Sequence, residues 1–517
     1  MEKINTQYTR VVRLADVYTE TGTDYSLPDY NGDIKKVFYA TAAVLPSASF
    51  VDGDVINASG TVNYDVIYLD SENNMDILSF SSEYEFPIKV DSEKLLSSDI
   101  ETKVSNFSYR LFGPRKISAK ATLQSEVRLV ESAEIETVCS GKDSDYESVK
   151  KTLPVEKSVF LSAREREYSD TLATLEGYTA EEISIIYTSI DATVESSLVN
   201  SNGVTVKGEI VASALVKSDG EVPILYKKHI PFEELVSSDQ VDDGMSAVCR
   251  AEITSTRTNV VATDDGVAIE VSVGTDFSLR CYGNSGVEVT LDAYLKSVEC
   301  NTTYEKFEYV THLATECFDE RISMSIPVSD LSESGIRDIV LMKADAKGAE
   351  VSFAGNFITI EGEMKLVGIC TSVSDDGTQT IFSVKHNLPI KKTVNANISL
   401  PKSAKTSANC QIHNLSVSVD EENVYVDADM KIEFFAESEG SVDRLSSCAE
   451  KDGGERYVRT SVITVYYPDK EDSLFSVAKA HHTSAGKIAA DNMLSESVLK
   501  MFDKEGSLAG VERLIIK

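Results

Sequence analysis

The chain contains no tryptophan among its 517 residues and only six histidines. The absence of tryptophan weakens the case for a sugar-stacking surface, which depends on large flat rings. The sequence also lacks any run of about 18 consecutive apolar residues, the length that a membrane-spanning helix requires. We therefore expect no membrane span.

Basic residues are scarce as well. The 50 Lys and Arg are outnumbered by 84 Asp and Glu, which leaves a net charge of -34. This balance argues against nucleic acid or an anionic membrane as the partner, because both need a basic surface. The acidity serves either solubility or the attraction of a basic partner. Residues 457–517 hold eight basic and eight acidic side chains, so the whole net charge lies before them, which predicts a domain boundary near residue 456.

Paired cysteine motifs are missing too. The eight cysteines are scattered without a C-x-x-C pair, which favours free thiols in a reducing compartment over disulfides or a zinc site. The N-terminus shows no apolar segment typical of a secretory signal, so we expect a cytoplasmic protein. The cysteines are Cys139, Cys249, Cys281, Cys300, Cys317, Cys370, Cys410 and Cys448.

A strand that begins with glycine occurs three times, at Gly60, Gly208 and Gly362. In each copy an alternating apolar face begins two residues later, which predicts a half-buried strand. A turn follows, at 70–74, 218–220 and 375–377, and the last two contain the Asp-Gly pair typical of hairpins. The predicted buried faces are Val62, Tyr64, Val66 and Tyr68; Ile210, Ala212, Ala214 and Val216; and Met364, Leu366, Gly368 and Cys370.

A proline between apolar residues comes next in each copy, at Pro87, Pro231 and Pro389, where the start or edge of a strand is expected. A second alternating strand follows, and a short helix is predicted before each glycine, within 30–40, 179–189 and 329–344. The fold class is therefore mainly β, with three β-sandwich-like repeat domains at 1–140, 150–300 and 301–445. The second strands carry Ile117, Ala119 and Ala121; Val267, Ile269, Val271 and Val273; and Val424, Val426, Ala428 and Met430.

Catalytic motifs are absent from the sequence: it contains no nucleophile elbow, P-loop, dinucleotide fingerprint or zinc-protease helix. Three weaker patterns favour structural explanations. Cys410 and His413 have metal-like spacing without a second pair, Asp70–Asp76 lacks the glycine and glutamate of a calcium loop, and His481–His482 lies at a predicted helix end. We predict a protein that is not an enzyme and has no cofactor or metal; an enzyme hidden in one repeat is the least favoured alternative.

The last 60 residues differ from the rest. Asp472 and Ser473 can cap a short helix that carries Leu474, and a second helix is followed by the apolar ending "LII". The predicted order is strand, helix, helix, strand over 456–517. This segment resembles a LysM domain, whose strand, Gly-Asp-Thr-Leu-Trp turn and later Asn are matched by Asp472, Ser473, Leu474, Phe475 and Asn492. Here Glu471 stands where the family has Gly, and Phe475 where it has Trp.

The LysM resemblance implies a shallow binding groove. By it, the groove residues are Asp472, Ser473, Leu474, Phe475, Asn492 and Met493. A competing interpretation assigns Leu474 and Phe475 to the core of the small domain. The charged Glu471 stands where the backbone would approach a sugar, which favours a protein ligand over N-acetylglucosamine.

The three repeats followed by a LysM-like end resemble the SPOCS-domain spore morphogenesis proteins of clostridia. That resemblance implies a scaffold in the mother-cell cytoplasm at the forespore surface, whose LysM-like domain binds a coat basement-layer ATPase. We expect a non-enzymatic adaptor in coat assembly. The alternative is a cell-wall protein that binds peptidoglycan through the same groove.

Overall fold

The alternating apolar segments form long antiparallel strands in the computed structural model, which is mainly β as predicted. It describes residues 2–139, 145–218, 223–374, 377–396, 398–454, 456–457, 462–469, 472–494, 508 and 511–517. Two predicted turns, at 218–220 and 375–377, lie mostly outside these residues, as do Glu471 and most of the segment inserted after Asn492.

The first unit consists of two sheets. Strand β4 is the centre of one sheet, with β3 and β5 on its sides; strand β7 pairs with β6 on one side and with β1 and β2 in succession on the other. The two sheets face each other across an apolar core that includes Val62, Tyr64 and Leu123. The strands are β1 (Glu2–Arg13), β2 (Val17–Ser26), β3 (Ile34–Asp52), β4 (Val55–Asp70), β5 (Met75–Lys89), β6 (Leu95–Gly113) and β7 (Lys116–Cys139).

The same strand order occurs twice more. In the second unit the sheets are β9-β10-β11 and β12-β13-β8, and in the third they are β15-β16-β17 and β18-β19-β14. Each has its own core, so burial follows the predicted alternation. The division into folding domains stays a prediction. The strands are β8 (Tyr146–Glu176), β9 (Ile183–Asn200), β10 (Gly203–Ser218), β11 (Ile224–Ser237), β12 (Ser246–Ala262), β13 (Gly266–Leu295), β14 (Cys300–Pro327), β15 (Asp338–Ala354), β16 (Phe357–Val373), β17 (Gln379–Asn395), β18 (Lys405–Val419) and β19 (Asn423–Glu450).

The predicted helices before each glycine are wrong. The segment 30–40 enters β3, 179–189 has one 3₁₀ turn (Ala180–Glu182) before β9, and 329–344 has only the end of the four-residue helix α1 (Val328–Leu331) before β15. These segments are rich in β-branched and aromatic residues. From Ile34, Ile183 and Asp338 onward these segments pair with the glycine-led strand, and that pairing outweighs a weak helical pattern.

The three prolines lie on edge strands, as predicted, but the glycines are not all equivalent. Gly208 faces Phe232 and Gly362 faces Ile390, in each case the residue after the proline. In the first unit the residue after Pro87 faces Ile56, so Gly60 lies four positions further along its strand. The sequence spacing alone concealed this shift, because the register depends on the whole strand pairing.

The three units close into a ring. Strand β5 contacts β9, β11 contacts β15, and β17 returns to contact β3. The outer faces of the three β3-, β9- and β15-containing sheets share one apolar cluster that includes Phe38, Tyr187 and Leu341. The first and last strands of each unit pair with each other, and the ends of these pairs around Ile135, Val287 and Phe307 pack together as a second cluster, which we call the strand-pair bundle.

The last elements of the chain form a small module that packs on the strand-pair bundle. In the part of the module that the structure describes, the elements are β20 (Thr464–Tyr466), α2 (Leu474–Ala480), α3 (Ala485–Asp491) and β21 (Leu514–Ile516), and β20 pairs antiparallel with β21. The described elements follow one another as strand, helix, helix and strand, but the LysM-like domain itself stays a prediction.

Candidate functional site

Both helices of the terminal module begin at a serine. The Ser473 hydroxyl accepts a hydrogen bond from the Ser476 backbone N–H, and the Ser476 hydroxyl accepts one from the Ser473 N–H, which forms a reciprocal cap. Ser484 caps α3 in the simpler way, by accepting from Lys487 N–H at 3.4 Å. These caps help to position the apolar faces of two seven-residue helices, which would be only marginally stable in isolation.

Helix α2 faces the strand-pair bundle. The Phe475 ring meets the Tyr294 ring edge to face, with centroids 5.3 Å apart, and the Tyr294 hydroxyl donates to the Thr483 carbonyl at 2.6 Å. Lys479 Nζ lies 2.6 Å from Asp292 Oδ2 on the same strand as Tyr294. Burial raises the pKa of Tyr294, so its hydroxyl remains a donor. We call these contacts the module seat.

The segment that leads into the module also follows the bundle. Arg456 forms an isolated bridge with Val298, and the Tyr457 N–H donates to the Ser297 carbonyl at 2.9 Å. The Tyr457 ring stacks on His482. The module is therefore attached to the scaffold through backbone, ring and ionic contacts rather than through the chain connection alone.

Two of the six predicted groove residues are core. Leu474 is 2% exposed and Phe475 8%, and Phe475 faces the scaffold rather than a ligand. This agrees with the competing interpretation that assigned both side chains to packing. Burial of a Leu and a Phe stabilises the module through the hydrophobic effect.

Three of the polar residues hold the module together. Asp472 Oδ2 accepts from the Tyr466 hydroxyl and the Asp469 N–H, both at 2.8 Å, and Ser473 caps α2. Asn492 donates to the carbonyls of Ile488 and Ile515 at 2.8 and 2.7 Å and accepts from the Ile515 N–H at 2.6 Å. The Asn492 side chain thus fixes β21, and these internal bonds compete with any ligand.

Met493 remains at the surface. It is 93% exposed and has a positive φ of 49°. The outward side chains around β20 are also apolar, and the sequence reasoning missed them: Ile463 is 56% exposed, Val465 50% and Tyr467 70%. We call Ile463, Val465, Tyr467 and Met493 the exposed face. Its signal in the sequence was the run "VITVYY", which is apolar on both sides of a strand.

A second candidate site lies where the three units meet. A cavity of about 180 Å³ is bordered by residues from all three, and half of its twelve lining residues are charged. Arg250 Nη1 donates to Glu101 Oε2 at 2.6 Å, and Arg280 Nε lies 2.5 Å from Asp99 Oδ2. The lining residues are Glu101, Thr102, Lys103, Ala192, Val194, Cys249, Arg250, Ala251, Glu252, Gln411, Lys431 and Glu433.

The electrostatics of this junction follow from burial and pairing. Burial opposes ionisation of Glu101, but Arg250, Lys103 and Arg280 outweigh it and lower its pKa to about 2. Glu252 shows the opposite balance: burial, helped by Asp99 and Glu101, outweighs Arg250 and raises its pKa. The charges neutralise one another between units, so the junction can hold the ring together.

The remaining sequence patterns have structural roles. Asp70 Oδ1 accepts from the backbone N–H groups of Glu72 and Asn74, which makes the segment at 70–74 a turn. Within the ranges that the structure describes, no three acidic, cysteine or histidine side chains are placed to hold a metal ion. In the same ranges, no helix combines the length and apolarity needed to cross a membrane.

Comparisons with known proteins identify no family. No protein-family model matches the chain, and no curated protein matches it significantly. One solved structure, titled "Crystal structure of lipopolysaccharide binding protein", aligns with 51% of this chain and 91% of its own at 9% identity, with a TM-score of 0.08. A similarity at that level carries no argument about fold or function.

Proposed function

We propose that the protein is a non-enzymatic scaffold in endospore coat or envelope assembly, and that its terminal module docks on the coat basement-layer ATPase. The proposal rests on one observation: the module packs on the scaffold through the module seat, and its exposed face remains accessible to solvent. Ile463, Val465, Tyr467 and Met493 are each at least half exposed, while Phe475 is used to hold the module on the scaffold. Ile463, Val465 and Tyr467 alternate along one extended segment, which places them on the same side, and such an apolar patch is typical of a protein docking site.

Charge supports a protein partner with basic side chains around its contact surface. The module is neutral, but the scaffold beneath it carries the net charge of -34. Such a field attracts basic proteins and repels anionic polymers and further copies of this chain. In this proposal the protein acts in the mother-cell cytoplasm at the forespore surface.

The internal bonds of the predicted groove favour a protein ligand over a glycan. A sugar site requires polar groups that can turn to the ligand, but Asp472, Ser473 and Asn492 each bond within the module. A peptidoglycan ligand would have to displace bonds that fix β21 and cap α2, and the present partners of these side chains would lose those bonds.

The test uses the full chain, because the module rests on the scaffold. The purified protein is offered to the purified basement-layer ATPase by interferometry and, separately, to purified sacculi by sedimentation. Binding to the ATPase that weakens as salt rises supports the proposal. Binding to sacculi without binding to the ATPase would refute it and favour the peptidoglycan alternative.

A further inference from the structure

Two cysteines lie together at the ends of the third unit. Cys300 is the first residue of β14 and faces Glu450, and Cys448 on β19 faces Thr302. The two cysteines are therefore diagonal neighbours on the same face of an antiparallel pair. Both belong to one apolar cluster beneath the module seat.

The two thiols differ in access. Cys448 is 5% exposed and bonds the Ala293 carbonyl at 3.9 Å, on the strand that also carries Asp292 and Tyr294 of the module seat. Cys300 is half-buried and also packs against the core of the module. A small oxidant can therefore reach Cys300, and Cys448 is in position to react next.

A second cysteine pair in the chain also lies on two neighbouring strands, but both of its thiols are in a core. Cys249 faces Leu279, and Cys281, two residues further on, is its neighbour along the opposite diagonal. Both thiols are buried in the core of the second unit. This pair provides an internal comparison in the same molecule.

We propose that Cys300 and Cys448 are a redox modification site, which a hydroperoxide converts into a disulfide that joins the two ends of the third unit. The Cys300 sulfur attacks the peroxide oxygen, forms a sulfenic acid and releases an alcohol or water. The Cys448 sulfur then attacks the sulfenic sulfur, forms the S–S bond and releases water. Two thiols are oxidised and one peroxide is reduced.

The bond would close a loop that contains nearly the whole third unit. A cross-link over so long a loop restricts the unfolded chain strongly, so it stabilises the folded unit. Diagonal neighbours are slightly further apart than a relaxed disulfide requires. The backbone must therefore move slightly to form the bond. This movement involves the first residue of β14 and the end of β19, and strand ends move more easily than strand centres. The disulfide would thus fasten the base on which the module is seated.

The first experiment treats the reduced full chain with hydrogen peroxide and maps disulfides by non-reducing peptide mass spectrometry. We expect one linked pair, Cys300 with Cys448, while Cys249 and Cys281 remain thiols. Recovery of Cys300 and Cys448 as thiols, or their linkage to other cysteines, would overturn the proposal. This readout uses the wild-type protein, so it does not depend on whether a variant folds.

The second measurement is thermal. Oxidation should raise the Tm of the transition that includes the third unit by at least about 3 °C. The rise should vanish in Cys300→Ser and in Cys448→Ser and persist in Cys317→Ser, whose cysteine is exposed on the same strand. A mapped disulfide without a rise in Tm would overturn the fastening role.

Discussion

The Tyr294 hydroxyl donates a 2.6 Å hydrogen bond to the Thr483 carbonyl, and this bond joins a strand of the second unit to the turn between α2 and α3 of the module. The two residues are 189 positions apart in the chain. Because Thr483 is 7% exposed, its carbonyl has little access to replacement water. The orientation of the module therefore depends on the scaffold that carries it.

Tyr294→Phe should loosen the module without unfolding the ring. It removes the hydroxyl and leaves the Thr483 carbonyl without this donor, which should cost about 1–3 kcal/mol. Hydrogen exchange should then accelerate in 472–494 and remain unchanged in the cores of the three units. Tyr30→Phe, at a side chain that is 88% exposed, is the control. Unchanged protection of 472–494 in Tyr294→Phe would contradict the claim that this hydrogen bond holds the module in place.

Arg250→Met should destabilise the junction between the first two units. The guanidinium binds Asp99 and Glu101, and its side chain is only 12% exposed, so two buried carboxylates lose a partner. The expected loss is about 3–5 kcal/mol in the free energy of unfolding, measured by urea titration. Lys391→Met breaks the exposed pair with Glu361 and should cost about 1 kcal/mol or less. Equal losses of unfolding free energy in the two variants would show that the buried pairs of the junction stabilise the protein no more than an exposed pair does.

The two glutamates of the junction should respond to pH with opposite sign. The folded pKa of Glu101 is lowered to about 2 from 4.5, so its stabilising contribution is complete above pH 4.5 and is lost as pH falls toward 2. The folded pKa of Glu252 is raised, so its favourable contribution exists at low pH and is lost as pH rises through that pKa.

Two isosteric variants measure this difference. At pH 7, Glu101→Gln should lower the urea midpoint and Glu252→Gln should raise it. The effect of Glu252→Gln should vanish below pH 4.5, whereas the effect of Glu101→Gln should shrink as pH falls from 4.5 toward 2. If both variants shifted the midpoint in the same direction at pH 7, the assignment of charges at the junction would be wrong.

Gly208→Ala should strain the second unit. A Cβ at this position would lie 2.1 Å from the Thr193 carbonyl oxygen and 2.7 Å from the Phe232 ring, and the backbone oxygen cannot turn away. We expect a loss of about 1–3 kcal/mol in the free energy of unfolding. Gly244→Ala, which meets nothing within 4 Å, is the matched control for losing a glycine. Equal stability of the two variants, measured by urea titration, would contradict the close approach.

Local alternation in the sequence was sufficient to predict the buried strand faces. Val62, Tyr64 and Val66 are fully buried, as the period of two required. Register was harder, because Gly60 matched Gly208 and Gly362 in letter but lies four positions away in the paired sheet. Spacing along one strand cannot reveal which residue a partner strand places opposite it.

The candidate site shows the same limit at longer range. The Ser473 cap could be predicted because a cap involves residues three apart. The role of Phe475 could not, because its partner Tyr294 comes from another unit. The ring was equally hidden: Arg250, Glu101 and Lys431 carry no motif and line one cavity only after three units have folded. Contacts of this kind depend on packing between elements, which no periodicity encodes.

Asn492→Ala and Val465→Lys should separate the stability of the module from its docking. Loss of the Asn492 amide breaks three bonds that fix α3 and β21, so both the protection of the module and its affinity for the basement-layer ATPase should fall. Val465 is 50% exposed and needs no partner inside the module, so Val465→Lys should leave protection intact.

The same Val465→Lys change should raise the Kd for the ATPase by about tenfold or more, because a charge would be placed in an apolar contact. Tyr30→Lys, at a surface of the first unit far along the chain from the module, should bind like wild type. Interferometry gives the affinities and hydrogen exchange gives the protection. Wild-type affinity in Val465→Lys would show that the exposed face is not part of the docking site. A lower affinity of Asn492→Ala would then be explained by partial unfolding of the module alone.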